Sequence, residues 1–169
     1  MSKQAAETKY GKYFLPMLMP PPGGMKFPMG PILTRMDNNT IAGSNFYFIH
    51  WVLPHDKPHM AIGHPPHCHK EVELLIHIGT NPDDPADLGA EVELSIGPEK
   101  EKHIITRSTV VFLPPNCIHG PWNPISTRRP WIFIEINQGL RHTEKFFPQL
   151  LTEAQRAQLD WNFWHDEGY

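Results

Sequence analysis

Cysteine is scarce, with two in 169 residues, so no disulfide framework holds this chain together and Cys68 and Cys117 read as free thiols. Long apolar runs are absent too. The strongest stretches, Phe46 to Leu53 and Val110 to Leu113, fall far short of the roughly 20 residues a spanning helix needs. The polar N-terminus, Met1 to Tyr10, lacks a signal-peptide core. There is no Lys/Arg-rich run interleaved with aromatics, and the formal net charge is −3, which argues against a nucleic-acid partner. No internal repeat or low-complexity tract appears. These absences predict one compact, soluble, cytoplasmic domain with no membrane partner.

Proline and histidine are what the chain has in excess: 19 and 11 residues. That much proline favours short strands and rigid loops over long helices. Residues 1–44 are punctuated by Pro16, Pro20 to Pro22, Gly23, Gly24, Pro28, Gly30 and Pro31, and are predicted to form an extended arm. Its apolar residues, Met17, Leu18, Met19, Met25, Phe27 and Met29, suit packing on the domain itself or on a second subunit, with a homodimer favoured. From residue 45 to 138 the pattern is one of strands. Asn45 to Leu53, Leu74 to Ile78, Glu91 to Ile96, Thr109 to Leu113 and Trp131 to Asn137 are each closed by Pro or Gly punctuation. With no helical pattern between them, an all-β antiparallel sandwich or small barrel is expected. Residues 80–89 read as an acidic surface loop. Residues 139–169 are expected to be a helical extension: a capping box, Thr152 with Gln155, precedes an amphipathic stretch from Glu153 to Trp164. A shorter helical piece is predicted around Thr143 to Phe147.

The chemistry concentrates in two segments, His64-Pro65-Pro66-His67-Cys68-His69-Lys70-Glu71-Val72-Glu73 and Pro114-Pro115-Asn116-Cys117-Ile118-His119-Gly120-Pro121-Trp122-Asn123. On a strand, positions i and i+2 share a face. His67 and His69 can therefore converge on one point, with Glu73 available as an oxygen ligand and His119 able to close the set. Neutral imidazoles with a carboxylate suit Zn, Fe, Mn, Ni or Cu. Glu71 is a weaker rival to Glu73.

These two segments resemble the paired motifs of the cupin superfamily. The first motif, His-x-His, three or four residues, Glu, then Gly, is matched by His67, His69, Glu73 and Gly79. In the second, Pro114, Asn116, His119 and Asn123 keep the spacing, with Asn116 in place of the turn Gly and Ser108 where a further Gly is usual. Asn tolerates the left-handed backbone such a turn requires. The resemblance implies a cupin-type double-stranded β-helix, or jelly-roll barrel. It further implies one divalent transition metal ion (Fe, Mn, Zn or Ni) on His67, His69, Glu73 and His119.

Around that set, Glu73, His77 and Glu135 are the catalytic candidates. His77 shares the face of Glu73 and reads equally as an interior histidine. Tyr47, Ile49 and Trp51 share one face of their strand, and Trp131, Phe133 and Glu135 one face of theirs; either face of each strand can be interior. Arg35 and Arg107 are candidate anchors for an organic acid, and Cys68 points away from its flanking histidines. His50, His55, His59, His64 and His103 have no comparable placement and stand outside the expected site. The function expected is a mononuclear metalloenzyme, oxidoreductase or isomerase/lyase, acting on a small oxygen-rich molecule. A non-catalytic metal-dependent binding module and a purely structural barrel are the alternatives.

Overall fold

A computed structural model describes residues 9–15, 28–58 and 62–169. The strands, all antiparallel to their neighbours, are β1 (Ile32–Met36), β2 (Phe46–Val52), β3 (His67–Cys68), β4 (Glu73–Gly79), β5 (Asp87–Ile96), β6 (Glu101–Arg107), β7 (Thr109–Leu113), β8 (His119–Thr127), β9 (Trp131–Asn137) and β10 (Lys145–Phe146). They form two five-stranded sheets, in the orders β1-β2-β9-β4-β7 and β10-β3-β8-β5-β6. This is the expected all-β, cupin-type double-stranded β-helix. Among the described residues no helix is long and apolar enough to cross a membrane.

Register turns the first sheet into a ladder of inward-facing rows. Phe46, Asn137 and Glu73 share one row; Phe48, Glu135 and Leu75 the next; His50, Phe133 and His77 the third; Val52, Trp131 and Gly79 the last. Each row lies about 7 Å from the one before it, two residues along a strand. The lower rows join Trp122, Leu94 and Val92 of the second sheet in the buried core. The rows nearer Glu73 line a cavity. Gly79 ends β4 where the chain re-enters at β5; a Cβ there would lie 2.1 Å from the Asp87 carbonyl oxygen.

Several expectations need correction. The arm of residues 1–44 is not wholly irregular, since β1 adds to the edge of β2 through the register Arg35↔Phe48. Of its apolar residues, Met29 is buried, and Met17, Leu18, Met19, Met25 and Phe27 lie outside the described residues, as does His59. The C-terminal helix is one turn, α1 (Glu153–Arg156), with the predicted capping box in place but no buried residue; without a buried face nothing extends it. The segment Thr143 to Phe147 is not helical. Its Lys145 and Phe146 pair with Cys68 and His67 as strand β10. Of the two faces left open on β2, the interior one carries Phe46, Phe48, His50 and Val52, and the other Tyr47, Ile49 and Trp51. The two motif departures are accommodated: Asn116 has φ 61, and Ser108 Oγ donates to the Pro85 carbonyl (2.7 Å) while accepting from Gly79 N (3.0 Å).

Candidate metal centre

His67 and His119 face each other directly across the β3–β8 pair, His69 follows two residues after His67, and Glu73 opens β4. The ligand atoms of the three histidines all lie within 4.8 Å of one another. Each ring donates Nδ1–H to a backbone carbonyl: His67 to Pro65 (2.7 Å), His119 to Cys117 (3.1 Å) and His69 to Thr143. A carbonyl can only accept, so the tautomer follows, and three Nε2 lone pairs point inward. Thr143 is itself fixed, because its hydroxyl donates to Glu71 (2.7 Å) and accepts from Lys70 N (3.0 Å). Glu71, the rival ligand, thus supports the site from behind.

Glu73 is buried, with Oε1 3.1 Å from His69 Nε2 and Oε2 3.0 Å from His119 Nε2. Asn137 Nδ2 donates to Oε1 (3.2 Å) and sets the carboxylate plane. In neutral rings those Nε2 atoms carry lone pairs, so acceptor confronts acceptor, and His69 Nε2, His119 Nε2 and Glu73 Oε2 have no hydrogen bond. Such a group is held together either by a proton on one of the rings or by a shared cation. Burial opposes charging His69, but the Glu73 carboxylate outweighs it and pushes the imidazole up to about 9. Burial likewise opposes ionising Glu73, yet His119 and His69 hold it well below the usual carboxylate range. His67 moves the other way, far below the ordinary imidazole value, through burial and then the neighbouring His119, His64 and His69. Three unprotonated Nε2 donors and one carboxylate oxygen are the ligand types a divalent transition metal takes, so the residues present fit such an ion.

Above this cluster lies a cavity of about 320 Å³. Of the two faces left open for β9, the one carrying Glu135 is interior, and Glu135 reaches the cavity, one row from Glu73 and buried. His77 does not line it. Two rows below Glu73, about 13 Å along β4, His77 stacks against Trp131 and accepts from Trp122 Nε1 (3.0 Å), and burial lowers it to about 4. It is a core histidine, away from the cavity. Arg35 lines the cavity with its guanidinium over the Phe46 ring, whereas Arg107 is exposed on β6. Cys68 is buried on the far side of its strand, its Sγ 3.2 Å from Tyr169 Oη.

Five further residues of the cavity were not anticipated: His50, His64, His142, Glu144 and Glu167. His64 Nε2 donates to Glu144 (2.8 Å), and its ring stacks on His67 with centroids 4.1 Å apart. His142 lies between two carboxylates, Nδ1 3.0 Å from Glu167 and Nε2 3.6 Å from Glu135; burial disfavours its charge, but the two carboxylates outweigh that and push it up to about 10. His50 was also set aside, yet it is fully buried on the cavity wall, where burial lowers it to about 4. Only the HPPHCH run placing His64 three residues from His67 was visible beforehand.

No protein-family model matches the sequence, and no curated protein does. Among solved structures the chain is similar to oxalate oxidase in complex with the substrate analogue glycolate, with a TM-score of 0.52 and 14% identity over 94% of this chain and 75% of that one. A second oxalate oxidase structure gives 0.51 and 15% over 85% and 67%, and recombinant oxalate oxidase in complex with glycolate gives 0.50 and 15% over 80% and 64%. The chain thus spans about two thirds to three quarters of these proteins. At such identities the likeness shows the fold alone, a double-stranded β-helix barrel; the His/Glu cluster inside it could hold a metal ion.

Proposed function

We propose that the protein is a mononuclear metal-dependent enzyme acting on a small, oxygen-bearing organic molecule. The observation that carries this reading is the cluster of His67, His69 and His119, whose ligand atoms lie within 4.8 Å of one another, with the buried Glu73 carboxylate against the Nε2 atoms of His69 and His119 at the floor of a cavity. His67, His69, Glu73 and His119 would hold the ion. When bound, a divalent metal supplies Lewis acidity or redox chemistry to a coordinated oxygen. Glu135, with a carboxylate oxygen within 4.8 Å of the ligand atoms of His69 and Glu73, is placed to take a proton from a hydroxyl at the centre and return it later. The aromatic wall of Phe48, Phe133 and Trp122 limits water around that transfer.

The reading includes a homodimer, supported by exposed Ile104, Val110 and Phe112 on the edge strands β6 and β7 and tested by sedimentation of the full chain. The functional test is metal analysis of protein purified without added metal. Turnover is then assayed with iron-, manganese- and zinc-loaded protein against small acids, oxalate included, and phenols. Metal-dependent turnover abolished by His119→Ala is expected; binding without turnover of any compound would leave a binding module instead.

A further inference from the structure

The polar groups of the cavity differ in what they can offer a ligand. Glu135 Oε1 is buried and without a hydrogen bond; His142 Nε2 stands 3.6 Å away, an ion-pair partner beyond hydrogen-bond distance, while His142 Nδ1 meets Glu167 at 3.0 Å. Glu144 accepts a hydrogen bond from His64 Nε2 and faces the same space. Against Glu73, Glu135, Glu144 and Glu167, the described lining residues set His142 and a single Arg, Arg35, seated over Phe46. The rest of the wall is mostly apolar and aromatic, with His50, Asn162 and His165 among it, and about 320 Å³ accommodates a body the size of a single ring.

A carboxylate group on a ligand at the metal cluster would set one acceptor against another at Glu135. A hydroxyl or amino group would supply the donor that Glu135 lacks, and a buried acceptor gains most from a partner it would otherwise miss. We propose that the occupant of this cavity is an uncharged or cationic molecule with an apolar, ring-sized body bearing hydroxyl or amino donors, that Glu135 is the residue that selects it, and that small dicarboxylates are disfavoured. This deepens the enzyme reading above and rests on it for the position of the reacting group.

The test compares catechol, an uncharged ring with two hydroxyls, with malonate, a dianion, by calorimetry on full-length zinc-loaded protein free of excess metal. Catechol is expected to bind at least about tenfold more tightly. In Glu135→Gln that preference is expected to shrink at least about fivefold, chiefly because malonate binds better once the negative charge is gone. Malonate binding as tightly as catechol to the wild-type protein overturns the proposal, and this comparison needs no variant to fold. A preference unchanged in a folded Glu135→Gln protein overturns the role of Glu135. Protein that takes up no zinc refutes the metal reading separately; the same pair of ligands is then compared on metal-free protein, where equal affinity or a malonate preference overturns the selectivity itself.

Discussion

Replacing Glu73 by Gln separates a metal ligand from a structural carboxylate. Glu73 is 1% exposed and lies 3.1 and 3.0 Å from the Nε2 atoms of His69 and His119. In metal-free protein its charge holds the His69 proton, and the rise of His69 from 6.5 to about 9 corresponds to about 3 kcal/mol. Removing the charge forfeits that interaction but also relieves the desolvation of a buried carboxylate, and the two largely offset each other. Metal-free Glu73→Gln is therefore expected to keep its stability within about 2 kcal/mol of wild type, since a buried pair is worth little net. Zinc affinity behaves differently. Residues that only orient a ligand are worth about 10–100-fold in affinity, so losing the sole anionic ligand is expected to cost at least about 100-fold. The assay is zinc titration against a competing chelator, with thermal melts of both metal-free proteins. A variant that melts far lower without metal yet binds zinc as wild type does would make Glu73 a structural partner of the histidines and refute the reasoning.

Asn137→Ala removes the donor to Glu73 Oε1 and is expected to weaken zinc by about 10–100-fold, read by the same titration; unchanged affinity would deny Asn137 its orienting role. Because His69 is raised to about 9 in the folded metal-free protein, its contribution to stability is fully present below 6.5 and is lost as pH climbs through 9. Zinc must displace that proton, so affinity is expected to rise about tenfold per pH unit across this window and then level off; titrations between pH 6.5 and 9 giving a constant affinity contradict it. Trp122→Phe strips the donor from His77 Nε2 and is expected to cost about 1–3 kcal/mol of stability with zinc affinity intact, measured by denaturant unfolding and titration together.

The parts of this structure that were legible beforehand are those with local signals. Alternation and Pro/Gly punctuation placed β2, β4, β7 and β9 within a residue or two, and motif spacing brought His67, His69, Glu73 and His119 together. Strand β6 escaped because its side chains are almost all exposed, which erases the alternation a half-buried strand displays. Strand β8 escaped because Pro121 and Pro124 read as loop, though Pro is tolerated at irregular positions and β8 pairs β5 with register shifts at two points. At the C-terminus the cap at Thr152 was readable but the length of the helix was not, since length depends on burial that the sequence stretch does not encode by itself. His142 and Glu144 had no local signal at all. Their contacts to Glu135 and His64 span 7 and 80 residues of sequence, and only the pairing of β10 with β3 carries that segment over the cavity.

The central claim is that one metal ion sits at the floor of this barrel, and anomalous diffraction at the zinc edge from crystals of zinc-loaded protein tests it most directly. The account predicts a single strong peak about 2.0–2.2 Å from Nε2 of His67, His69 and His119 and from a Glu73 carboxylate oxygen. A peak centred instead among His64, His142 and Glu144, or no peak inside the barrel, would contradict it.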